Sequence, residues 1–134
     1  MTWYAAHLIL YYEVMEGEQD SYLCDENIVV IDAEDEDLAY KEAHRLGLFQ
    51  AENTGDLSLE EEGHPPKQAI AKFAGVRKLT LCQVVPSQIS SDMTDKQPHL
   101  LSGSEVTYSR IVVDSEQEVL ALAHGDSVKV LYEE

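Results

Sequence analysis

The chain has 134 residues, 44% of them apolar, and its 26 acids outnumber nine Lys and Arg to give a formal net charge of −17. That apolar content at that length supports one packed domain over residues 1–134, and it excludes an acidic disordered chain. The charge excludes nucleic acid and anionic membrane as partners.

The acidity is unevenly spread. Residues 1–62 carry 17 acids and two bases, residues 63–100 two acids and five bases, and residues 101–134 seven acids and two bases. The local balances are therefore −15, +3 and −5. A field of this kind favours a cationic partner surface, while surplus carboxylates also serve plain solubility.

Thr2–Val14 reads as a long strand, with Tyr4, Ala6, Leu8, Leu10, Tyr12 and Val14 on one face and Trp3, Ala5, His7, Ile9, Tyr11 and Glu13 on the other. A strand apolar on both faces belongs in the middle of a sheet or in a sheet covered on both sides. Residues 16–26 read as a polar connection and Ile28–Ile31 as a short buried strand. A helix then opens on the acids 34–37, repeats Leu38, Ala39, Ala43 and Leu46, and closes at Gly47 as its C-cap. Residues 48–55 are expected to be irregular. Leu57 and Leu59 mark a weak edge strand, and residues 63–66 stop regular structure.

Residues 67–85 form two extended pieces joined at Gly75, where a bulge or bend is expected. By alternation, Arg77, Leu79, Leu81 and Gln83 share one face, and Val76, Lys78, Thr80, Cys82 and Val84 the other. Residues 86–102, rich in Ser, Asp, Gln and Pro, are expected to be a mobile loop. Residues 105–113 form another strand. Ser115 and Glu118 make a capping box for a second helix that ends at Gly125, and Val128, Val130 and Tyr132 mark a last strand. The expected fold is α+β: a single-domain sandwich of a largely antiparallel sheet with two helices on one face, ferredoxin-like or related.

The search for chemistry returns little. His7, His44, His64, His99 and His124 are scattered singly, with no paired-Cys knuckle and no His-x-x-x-His, so no metal site is expected. Asp32, Glu34 and Glu36 alternate as calcium ligands would, but no Gly follows for the turn. There is no nucleophile elbow and no phosphate-cradling Gly-rich loop, so no catalytic residue and no cofactor are assigned. Two binding candidates survive. Trp3, His7 and Tyr11 share one strand face, each with an apolar body and a polar tip; they form a ligand pocket, or a sheet face covered by a helix or partner. Arg77, with Lys72 and Lys78, either pairs with the acidic half or lines an anion site.

No apolar run approaches the roughly 20 residues of a membrane-spanning helix. The longest, residues 3–12, is broken by His7 and lacks the basic start and cleavage pattern of a signal peptide. Cys24 and Cys82 are isolated thiols rather than a disulfide framework, so a cytoplasmic location is expected.

The blocks Trp3-Tyr4-Ala5-Ala6-His7-Leu8, Glu26-Asn27-Ile28, Phe73-Ala74-Gly75-Val76-Arg77-Lys78-Leu79 and Gly103-Ser104-Glu105-Val106-Thr107-Tyr108-Ser109 together resemble an uncharacterised bacterial family, domain of unknown function 4288. The resemblance extends over nearly the whole chain. Its most specific blocks are 73–79 and 103–109, and residues 86–102 resemble an insertion. It implies a bacterial, soluble, single-domain protein and transfers no activity and no catalytic residue. The expected function is a non-enzymatic interaction or regulatory module that binds a protein or small ligand, with a basic protein or a second copy as partner. The alternatives are an acidic inhibitor of a basic toxin or nuclease, and a small enzyme with an acid–base site near His7 and Arg77.

Overall fold

In the computed structural model, which describes residues 2–60, 63, 65–83 and 101–133, the first apolar segment becomes the 13-residue strand β1 (Thr2–Val14). It lies in the interior of a sheet of order β3-β4-β1-β2-β5-β6, in which every pairing is antiparallel. The other strands are β2 (Tyr22–Ala33), β3 (Asp56–Leu59), β4 (Lys67–Leu81), β5 (Glu105–Val113) and β6 (Leu131–Tyr132). The helices are α1 (Glu36–Thr54) and α2 (Glu116–His124).

The α+β class and the antiparallel sheet are as expected, but the helices take opposite faces. Tyr4, Ala6, Leu8 and Leu10 pack with Ala39 and Ala43 of α1. Ile9 and Tyr11 pack with Val119, Leu122 and Ala123 of α2. Successive strand side chains point to opposite faces, so the two cores lie on the two sides of β1. The arrangement is therefore not ferredoxin-like. A strand with two apolar faces needs two covers, and a single helical layer would leave Ile9 and Tyr11 in water.

β2 begins at Tyr22, well before the expected Ile28, because β1 offers it a full-length partner. The register runs unbroken from Thr2↔Ala33 to Tyr11↔Cys24. The polar residues that suggested a connection, Asp25 and Glu26, sit inside the strand and face Arg110 and Arg77 there.

α1 also outruns its expected end. Asp35 caps it by accepting the Leu38 N–H at 2.8 Å, and Glu36 and Asp37 load its first turn. Gly47 is not the C-cap; it is buried mid-helix, and the helix continues to Thr54 with Gly55 beyond it at φ 72°. Ala39, Ala43 and Gly47 form a small-residue stripe at i, i+4 and i+8 that brings the helix close to the sheet. A Cβ at Gly47 would stand 2.5 Å from both Cδ1 and Cζ of Phe73. The glycine is there for space, not for a turn.

β4 is one strand with two irregularities. Against β1 the register shifts between His7 and Leu8, skipping Arg77, and between Ile9 and Leu10, skipping Ala74. Gly75, at φ 151°, lies between the two bulges. The bulges break the expected alternation: Phe73, Val76 and Leu79 all reach the α1 core, whereas Ala74 reaches the α2 core.

Ser115 Oγ accepts the Glu118 N–H at 3.2 Å, as the capping box requires, although the Glu118 carboxylate returns to the Asp114 N–H at 3.1 Å. Gly125 ends α2 in the left-handed conformation. Of the expected mobile loop, residues 86–100 lie outside the described residues. Ser102 Oγ accepts the Asp32 N–H at 2.9 Å, which ties the entry to β5 to the end of β2.

Candidate functional site

On the α2 side of the sheet, Trp3, His7 and Tyr11 do share one face, spaced over roughly 27 Å of strand. They do not converge. Tyr11 is buried under α2 against Tyr22, ring centroids 6.2 Å apart. Burial and the nearby Glu116 push its phenol above the ordinary range. Trp3 lies at the far end, half-buried, opposite Asp32 in the register. His7 lies between them, with Nδ1 3.8 Å from a carboxylate oxygen of Glu26.

Glu26 also faces Arg77, at 4.0 Å from Nε. Arg77 is the extra residue of a bulge and is aimed at the end of α2. There it donates to the carbonyls of Leu122 and, at 3.1 Å, Asp126. Helix C-termini leave carbonyls unpaired and carry partial negative charge, so the guanidinium caps α2. A Cβ at Gly75 would meet Ala123 Cβ at 3.4 Å, an ordinary contact, so it is the φ of 151° that favours glycine there. The structure thus brings His7 and Arg77 to one carboxylate while committing Arg77 to holding α2 in place. Lys72 forms an ion pair with Glu13 at 2.6 Å.

The α1 side carries a second constellation that the sequence reading missed. Asp25, only 7% exposed, accepts the Tyr12 hydroxyl at 2.5 Å and the Arg110 Nε at 2.9 Å. A buried carboxylate is tolerated only with such partners. The pairing drives Arg110 above its ordinary range through the Asp25 hydrogen bond, and burial with the Asp25 bond drives Tyr12 well above its own. One signal was available: Arg110 is the single charge between Val106 and Val113, a segment of high strand propensity.

Beside this network is a recess of about 290 Å³ at the end of the sheet where β1 turns into β2. Its apolar lining is Val14, Leu23, Leu59 and Val112, and its charged lining is Glu18, Asp20, Glu60 and Glu133 against the single base Lys67. Lys67 is held to the turn, donating to the Glu18 carbonyl at 3.2 Å. Two shallower depressions adjoin it, one at Met15, Glu16 and Pro66, the other at Tyr108, Arg110 and Tyr132. None of the three reaches His7 or Arg77. Among the described residues no group of three or more His, Cys, Asp or Glu is disposed to hold a metal ion, and no helix is long and apolar enough to cross a membrane.

No curated protein and no solved structure matches the chain. A family model described as Domain of unknown function (DUF4288) matches residues 3–65, which takes in nearly all of β1 together with β2, α1 and β3 but neither β4 nor β5. That segment, similar to the DUF4288 family, supplies one wall of the acidic recess and both partners of the Tyr12–Asp25 bond.

Proposed function

We propose that this chain is a non-enzymatic, acidic interaction module that receives a cationic group of its partner, a protein or a small ligand, in the recess beside the β1–β2 turn. The observation that carries this reading is the composition of that recess: among the described residues, four carboxylates against one lysine, with Val14, Leu23, Leu59 and Val112 in the same lining. A Lys or Arg side chain has the complementary chemistry, an apolar stem under a cationic head. Pairs at such an exposed rim contribute about 0–1 kcal/mol each, so binding is weak singly and falls as salt rises.

An inhibitor that masks a basic toxin or nuclease would need one continuous acidic face. The carboxylates of residues 16–20 and those of residues 34–37 instead lie at opposite ends of β2, roughly 35–40 Å apart at about 3.3 Å per residue. An enzymatic reading near His7 and Arg77 is supported less, because Arg77 is engaged by the α2 carbonyls.

The test is a titration of isotope-labelled protein with acetylated, amidated tetralysine, followed by amide chemical shifts. Shifts concentrated at Gln19, Leu23, Val112 and Glu133, and suppressed by salt, support the proposal. Shifts spread evenly, or confined to residues 34–37, contradict it.

A further inference from the structure

Tyr12, Asp25 and Arg110 stand directly behind the recess. Each lies two positions from a recess-lining residue of its own strand, Val14, Leu23 and Val112 respectively. The β2–β5 register is unbroken from Tyr22↔Val113 to Ile28↔Thr107, so Arg110 and Val112 share a face, roughly 7 Å apart along β5. The depression at Tyr108, Arg110 and Tyr132 shares Glu133 with the recess.

The Arg110 guanidinium is fixed in place but not used up. Nε donates to one oxygen of Asp25 at 2.9 Å and Nη2 to the other at 3.4 Å. A guanidinium has five N–H donors. Among the described residues nothing accepts from Nη1 or from the second hydrogen of Nη2. The side chain is 44% exposed, so these donors are open to a guest. Asp25 offsets the positive charge, so the donors do not come with repulsion of a basic group.

Given the cation-binding role of the recess, on which this rests, we propose that Arg110 receives a main-chain carbonyl of the partner. The guest is then a Lys or Arg residue held within a peptide chain, its side chain in the recess. An extended Lys carries its ammonium six bonds from its own carbonyl carbon, about 7–8 Å away at roughly 1.5 Å per bond in a zigzag. That is comparable to the step from Arg110 to Val112, and Glu133 stands beside both. A carbonyl suits the place better than a carboxylate. Asp25 already neutralises the guanidinium and Glu133 flanks it, so a second anion would meet surplus negative charge in a chain of net charge −17. The planar fork is held by Asp25 before the guest arrives, so little freedom is lost on bonding.

Amide-shift titrations of labelled protein with two probes test this: acetylated, amidated tetralysine, and spermine, which matches its charge and has no carbonyl. Tetralysine is expected to shift the Arg110 guanidinium signals together with the amides of Leu23, Val112 and Glu133, and spermine those amides alone. Arg110→Lys keeps a cation against Asp25 and loses the fork. It is expected to weaken tetralysine about fivefold, the scale of one net hydrogen bond, and spermine by less than about twofold. Tetralysine with a free C-terminal carboxylate is expected to bind no more tightly than the amide. Unmoved guanidinium signals, equal weakening of both probes by Arg110→Lys, or tighter binding of the free acid would overturn the proposal while leaving the cation site standing. Recess amides that tetralysine does not shift would remove both.

Discussion

Replacing Gly47 by Ala sets two effects of known sign against each other. In an open helix the change would stabilise by about 1 kcal/mol, because Ala is the better helix former. In this fold the new Cβ would sit 2.5 Å from Cδ1 and Cζ of Phe73, over 1 Å inside the roughly 3.5–4.0 Å of a carbon–carbon contact. The Phe73 ring has little room to retreat, since it packs on the α1 core and meets His44 edge-on at 5.2 Å. Overpacking of this kind costs about 1–3 kcal/mol, enough to outweigh the propensity gain. We expect Gly47→Ala to destabilise by about 1–2 kcal/mol in urea titration, lowering the melting temperature by roughly 4–8 °C. In a Phe73→Ala background the clash is gone, and the same substitution should be neutral or stabilising by up to about 1 kcal/mol. An equal Gly47→Ala effect in both backgrounds would refute the reasoning.

Asp25→Ala strands the Tyr12 hydroxyl and Arg110 together, and should cost about 2–3 kcal/mol in the same assay; a loss within 0.5 kcal/mol, the scale of a neutral surface change, would mean the network is incidental. Ser115→Ala removes the α2 cap and should cost about 1 kcal/mol, with α2 amides exchanging faster. Burial pushes the Cys24 thiol from its ordinary 9.0 up to about 12, and burial together with the Asp25 bond raises Tyr12 in the same direction. Both groups keep their protons longer folded than unfolded, so their contribution is complete at neutral pH and lost as pH rises above about 9. Denaturation midpoints should fall between pH 8 and 11, and a flat or rising profile would contradict this. Thiol reagents at pH 8 should accordingly label Cys82 well before Cys24.

What the sequence made legible follows from how local each signal is. β1 was readable to the residue because its alternation is its own, and the α2 caps were readable because a cap lies within four residues of its partner. Gly47 was misread because a glycine ending a helix and a glycine admitting a ring look alike; the ring belongs to Phe73, 26 positions away. β2 was cut short because Asp25 and Glu26 look like loop residues until the neighbouring strands bring Arg110 and His7 within reach of them. The faces of β4 were misassigned past Gly75 because each bulge shifts parity by one residue, and only the partner strand reveals it. The same holds for the site: the recess joins the β1–β2 turn, the β3–β4 connection and the β5–β6 edge, and no single segment carries its pattern.

Charge reversal tests the recess most directly, because the whole chain attracts cations and only position can separate a site from a field. Asp20→Lys with Glu133→Lys changes the rim, while Glu36→Lys with Asp37→Lys makes the same change in net charge at the opposite end of the sheet. Calorimetric titration with acetylated, amidated tetralysine at low salt should show the rim pair binding about tenfold more weakly than wild type, a loss of about 1.4 kcal/mol, and the distal pair within about twofold of it. Equal losses from both pairs would leave a diffuse acidic field and no binding site.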